Sequence, residues 1–201
     1  MTHRRYLATV ACPTPAQQLV FQELVRAVDE QTERVQRLEA ELHDLEGQCR
    51  LWPVVQAQQA LRVVQSIVAI TVVAELGDIT RFDNPRQVAA FVGLNPSEHT
   101  SGGKRRLGAI TKTGNGRARR ALIEGAWAYR HPAKVSYEMQ KRQQGLPKVV
   151  QDIAWKAQVR LCKRFRRLSA RGKHPNVVAT ATARELLAFM WAIAREVPVK
   201  A

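Results

Sequence analysis

Residues 21–49 read FQELVRAVDEQTERVQRLEAELHDLEGQC. Apolar side chains return every seventh position. Phe21, Val28, Val35, Leu42 and Cys49 form one series. Leu24, Leu38 and Leu45 form the other, with Gln31 as its polar member. A repeat sustained over about four heptads predicts a helix that pairs with another helix along one seam. Gln31 would fix the register at some cost in stability. The alternative is a long amphipathic helix packed on its own domain. With Pro13 and Pro15 ahead of it and Trp52-Pro53 behind, this helix is placed at 15–52, after an irregular lead over 1–14.

Downstream, helical stretches with short breaks continue to the end of the chain. They are expected at about 54–64, 67–76, 85–92, 117–130, 133–143, 148–169 and 177–196. Asn84 and Pro85 supply an N-cap and a favoured first helical residue, and Gly93 supplies a stop. Residues 95–116 hold too many glycines for a long element and read as loop. Strict alternation is scarce. The fold expected is therefore all-α, with a long N-terminal coiled-coil helix followed by an irregular helical domain with a Gly-rich basic loop. The body divides into 53–130 and a basic helical tail over 131–201.

Charge is unevenly spread over the 201 residues, whose net charge is +15. Residues 1–50 carry six Lys/Arg against eight Asp/Glu, and residues 51–201 carry 26 against nine. So basic a body repels itself unless an anion neutralises it, and nucleic acid is the default partner. Three separated cysteines (Cys12, Cys49, Cys162) form no disulfide framework and fit the cytoplasm. The five histidines lack metal-ligand spacing, so no metal is expected in this chain. The apolar run from Ile67 to Ala74 is too short to span a bilayer, and no membrane partner is expected.

Two basic clusters stand out. After Glu98, the stretch from Ser101 to Arg120 holds Lys104, Arg105, Arg106, Lys112, Arg117, Arg119 and Arg120 with no acid among them. Gly102 and Gly103 follow Ser101 directly, so backbone can come close to another molecule beside a hydroxyl. A serine before two glycines is most often only a turn. It is neither a Gly-x-Ser-x-Gly elbow nor a P-loop. A serine among cations is nevertheless what phosphoryl transfer on DNA needs: the hydroxyl attacks phosphorus and the cations hold the oxygens. The second cluster runs from Lys156 to Lys173 and includes Lys163, Arg164 and Arg167. Trp155, Val159, Leu161, Cys162, Phe165 and Leu168 interleave at helical spacing. They read as core, leaving the cations on a face that meets either nucleic acid or water.

Five ordered blocks carry a family resemblance. They are Ala74–Phe82, Arg86–Ser97, Ser101–Lys104, Ile110–Asn115 and Arg119–Leu122, with a weak continuation over Ala183–Leu187. Together they resemble the C-terminal domain of bacterial insertion-sequence transposases of the one-ten/one-sixteen/nine-oh-two type, RNA-guided serine recombinases. The resemblance implies DNA transposition. An N-terminal resolvase-like domain with four acidic residues binds Mg2+, a C-terminal serine joins covalently to DNA, and a structured guide RNA bridges the DNAs. Ser101 aligns with that serine, and Lys104, Arg105, Arg106, Lys112, Arg119 and Arg120 become candidate backbone contacts. Where the family has a Gly-x-Gly hairpin, this chain has Ser66-Ile67-Val68, which closes a tight approach to phosphate. The acidic domain is not seen in these 201 residues, so the expectation is a C-terminal half that binds nucleic acid without recombining it alone. It would pair through residues 21–49 with itself or with a full-length transposase. The alternative is a non-catalytic regulator that pairs the same way.

Overall fold

The computed structural model describes residues 3–45, 48–99 and 106–199. The chain divides into two compact units, Met1–Cys49 and Arg50–Ala201.

In the first unit, α2 runs over Pro15–Asp44. Thr14 caps it, its hydroxyl accepting from the Gln17 amide, and Pro15 occupies the first turn. The helix stops at Asp44, short of the residue 52 expected, so Cys49 lies off it and outside the heptad stripe. The lead expected to be irregular contains a short helix, α1, over His3–Leu7. It is tied to α2 through Arg4 and Asp29, while the Cys12 amide donates to Gln18 Oε1 at 2.7 Å. No residue of α2 is buried. Leu24 and Val28 are each 63% exposed and Val35 53%, so the heptad stripe lies open along the helix.

The second unit is built around α9 (Pro175–Arg195). This helix packs against α8 (Lys148–Ala170), α6 (Gly116–Ala126), α5 (Pro85–Phe91) and α3 (Trp52–Gln58). Val178, Ala179, Ala183, Leu186, Leu187, Met190, Ile193 and Ala194 are fully buried along it. By length and composition α9 alone among the described helices could cross a membrane. Its apolar residues instead form the core, each large one contributing about 2 kcal/mol. The remaining helices are α4 (Ser66–Leu76) and α7 (Tyr137–Gln143).

Helical architecture stands, with three local corrections in the second unit. The helix expected from Val54 begins at Trp52, because Pro53 suits a first turn rather than breaking the chain. It ends at Gln58, and residues 59–64 continue as tight turns whose carbonyls are taken by the tail. Gln143 Nε2 donates to Ala60 O at 2.9 Å and Arg142 Nη1 to Val64 O at 3.1 Å. The helix expected from 133 starts only at Tyr137, capped by the Ser136 hydroxyl. Third, the span read as loop contains an antiparallel pair, β1 (Pro96–Glu98) and β2 (Leu107–Ile110). Pro96 pairs with Ile110 and Glu98 with Leu107, with an irregularity between. Strands this short, one opening on Pro96 and the other containing Gly108, carry no alternation to read.

Candidate nucleic-acid interface

The hairpin rests on a locked crossing of two turns. Gly93 and Gly114 both have positive φ (71° and 74°). A Cβ on Gly93 would fall 2.0 Å from Thr113 O, and one on Gly114 1.8 Å from Phe91 O. Neither backbone can yield, so only glycine fits. The Lys112 amide donates to Gly93 O at 3.1 Å, and the Thr111 amide to Asn95 O at 2.9 Å. Arg119 Nη1 reaches in from α6 and donates to Val92 O (2.8 Å) and Thr113 O (3.2 Å), bolting the two turns together.

Asn115 seats α6 beside this crossing. Its Oδ1 accepts from the Ala118 amide at 2.9 Å, while its Nδ2 donates to Glu75 on α4. Arg117 Nη1 approaches the same carboxylate at 3.4 Å. Nearby, the Thr80 hydroxyl and amide both donate to Asp78, and these bonds hold its carboxyl below the usual range. The blocks around Glu75, Gly93 and Gly114 thus act first as framework for the hairpin.

The candidate contacts fare differently. Ser101, Lys104 and Arg105 lie outside the described residues. Arg106 is exposed at the start of β2's approach, its carbonyl accepting from the His99 amide at 2.9 Å. Lys112 is exposed at a left-handed turn (φ 57°). Arg120 pairs with Glu124 at 3.2 Å within α6. Arg119 is occupied by carbonyls, while Arg117 touches Glu75 at 3.4 Å with its side chain 86% exposed. On α8, Arg164 is only 20% exposed at its side chain and pairs with Glu185 at 3.0 Å; burial pulls its guanidinium pKa down. Lys163 and Arg167 are exposed and have no ion-pair partner among the described residues.

The interleaved apolar residues of α8 split into two rows. Leu161, Cys162 and Phe165 are buried as expected, and burial raises the Cys162 thiol pKa. Trp155 and Val159, expected in the core, are 47% and 42% exposed. They lie one turn apart and share a groove of about 580 Å³ with Lys156, Arg160, Lys163 and Arg167. The buried set follows 154, 157, 158, 161, 162 and 165, so position 155 falls on the neighbouring row. A second groove, of about 570 Å³, lies between the hairpin and α9, with Arg86, Leu107 and Arg184 on its walls. Glu185 borders both grooves, accepting from Arg160 Nε at 2.9 Å as well as from Arg164. Arg86, Arg184 and Glu185 fall within the blocks Arg86–Ser97 and Ala183–Leu187, and Trp155 among the expected core residues, without their sequence marking them as groove residues. The signal at Trp155 is an aromatic at the head of the basic run that starts at Lys156.

Comparison with known proteins gives a family likeness. Residues 59–142 match the sequence model described as "Transposase IS116/IS110/IS902 family". A putative transposase, y4qE, of Sinorhizobium fredii is 42% identical over 196 residues, covering 98% of this chain and 47% of that protein. A probable family 20 transposase of Pseudomonas aeruginosa is 35% identical over 127 residues, 61% of this chain and 36% of that one. The transposase for insertion sequence element IS1111A of Coxiella burnetii is 44% identical over 73 residues, 36% of this chain and 20% of that one. The chain thus spans less than half the length of these relatives. The chain is thus similar to that transposase family over residues 59–142 and to part of each of these relatives.

Proposed function

We propose that this chain is a DNA-binding part of an insertion-sequence transposase, acting in DNA transposition, with Ser101 as the nucleophile of strand exchange. The observation that carries this reading is the family match over residues 59–142, which spans the hairpin, Ser101 and the basic run to Arg120. In the proposed step, Ser101 Oγ attacks a backbone phosphorus. An O–P bond to serine forms, one strand's P–O bond breaks, the serine proton is lost to a base, and the departing oxygen takes up a proton. Exposed cations such as Arg106 and Lys112 hold the phosphate oxygens. Among the described residues no group of three or more His, Cys, Asp or Glu side chains could hold a metal. These residues therefore do not fit the four-acid Mg2+ set of the family, and no step here runs through a metal. The chain binds DNA, and a structured RNA by the same cations, but exchanges strands only when a resolvase-like domain is supplied.

The test is covalent capture on DNA, with that domain supplied in cis or by a full-length partner with its RNA. Wild type gives a protein–DNA adduct. Ser101→Ala abolishes it while binding stays within about twofold, since one neutral hydroxyl adds little to a field set by many cations. An adduct that survives Ser101→Ala removes the nucleophile assignment.

A second reading, a non-catalytic regulator, draws on the open stripe of α2. A helix of 30 residues with none buried, and with Leu24, Val28, Val35 and Leu38 exposed at heptad spacing, fits a second copy of itself or a full-length relative. Leu38→Asp with Leu42→Asp puts charge in that seam. It should reduce the mass seen by light scattering to that of one chain. Equal masses for wild type and variant refute pairing through this face.

A further inference from the structure

We propose that Trp155 on α8 is a stacking platform for unpaired nucleotides, so that this groove takes single-stranded DNA or RNA rather than duplex. The inference rests on the nucleic-acid reading above and specifies which form of nucleic acid this face takes. Trp155 is 47% exposed and Val159, one turn on, 42%. An indole left open beside a buried row of Leu161, Cys162 and Phe165 forgoes the burial available to it. Its surroundings say what covers it. The groove it lines also carries Lys156, Lys163 and Arg167, all exposed, with Glu185 as its one acid. Glu185 is already engaged by Arg160 at 2.9 Å and Arg164 at 3.0 Å. The net field therefore favours an anion, and the open ring favours a flat apolar surface.

An unpaired nucleotide offers both at once: a base to lie on the ring and a phosphate for the neighbouring cations. A duplex offers only the phosphates, because its bases are already stacked on one another. An apolar protein segment would cover Trp155 and Val159 but leave the cations without partners. Trp155 sits at the edge of the groove while Lys163 and Arg167 lie two and three turns along α8. A strand can therefore run along the helix with one base on the ring and its backbone over the cations.

The experiment uses the 201-residue chain and three labelled probes of equal length: oligo(dT), oligo(U) and a DNA duplex, read by fluorescence anisotropy at one fixed salt. Trp155→Ala should weaken binding of both single strands about tenfold and leave the duplex within about twofold. Trp155→Phe should restore most of the loss, since an aromatic face and not the indole N–H is what stacks. A loss on only one of the two single strands also supports the site and names the sugar it reads. An equal loss on single strands and duplex overturns the proposal, as does no loss on any probe. Wild type that binds duplex but neither single strand sinks the platform while sparing the DNA-binding reading. Wild type that binds none of the three sinks both. Because Trp155 is on the surface, an unchanged circular dichroism spectrum and melting temperature show that the alanine variant is folded.

Discussion

The chain has two clusters of cations that look alike in sequence and sit in different surroundings. From Arg117 to Arg120, on α6, Arg119 alone is drawn into the structure, while the side chains of Arg117 and Arg120 stay 86% and 81% exposed. Arg119 holds two backbone carbonyls, Arg117 meets Glu75, and Arg120 meets Glu124. From Lys156 to Arg167, on α8, Lys156, Lys163 and Arg167 stand in a groove beside an open tryptophan. Counting positive charges therefore overstates the cations free to meet a partner: Arg119 on α6 and Arg164 on α8 are both spent within the fold. The guanidinium fork explains the split. It can satisfy several carbonyls at fixed geometry, so an arginine beside a turn becomes a structural part. A lysine in open solvent keeps its charge available.

The sharpest way to break the comparison is to damage the framework beneath α6. Gly114→Ala places a Cβ against Phe91 O at a positive φ, a clash with backbone that must move the whole crossing. We expect a loss of about 3 kcal/mol and a large fall in melting temperature. A variant that melts with wild type would show that the two turns are not locked.

Next in size is a pair of substitutions chosen to separate framework from field. Arg119→Ala removes a charged donor from two carbonyls and should cost about 2 kcal/mol, with the slope of log affinity against log salt unchanged. Lys163→Ala and Arg167→Ala should do the reverse. Each leaves the melting temperature within about 1 °C and reduces the salt slope by about 0.9, worth about threefold in affinity between 50 and 200 mM salt. If Arg119→Ala flattens the slope as much as Lys163→Ala, Arg119 belongs to the binding field and not to the framework.

How much of this could be read beforehand follows from the same physics. Helices with strong boundary signals were legible: Asn84-Pro85, Gly172 and the periodic runs of α8 and α9 place their elements within a few residues. The hairpin was not, because β1 and β2 are three and four residues long and carry no alternation. Nor was the end of α3, where the helix gives way to turns because Arg142 and Gln143, about 80 residues away in sequence, take the carbonyls. The basic clusters were legible as composition only. Whether a given arginine binds a carbonyl, a carboxylate or a phosphate depends on which turn folds beside it, as at Arg119. Trp155 was assigned to the core because its spacing is helical, yet a helix has two sides and one row of difference decides which faces solvent.

The smallest expected effect probes the acid that borders both grooves. Glu185 accepts from Arg160, whose side chain is 62% exposed, and from Arg164, which is 20% exposed. Glu185→Gln removes one negative charge from the groove without changing its shape. Arg160 is then free to turn toward a phosphate, and repulsion of the incoming strand falls. Screening at physiological salt limits the gain, so we expect nucleic acid to bind about twofold more tightly, with the benefit growing at lower salt. Arg164 pulls the other way. Its pKa is already lowered by burial, and Glu185 is the charge that opposes that shift. Without the carboxylate a half-buried guanidinium loses its partner, so the variant should melt a few degrees lower while binding better. Opposite signs for stability and affinity are the signature of an acid that restrains a binding face in order to hold a helix pair. Affinity that falls along with stability would mean that Glu185 instead orders the cations for the strand, and that Arg160 and Arg164 bind through it.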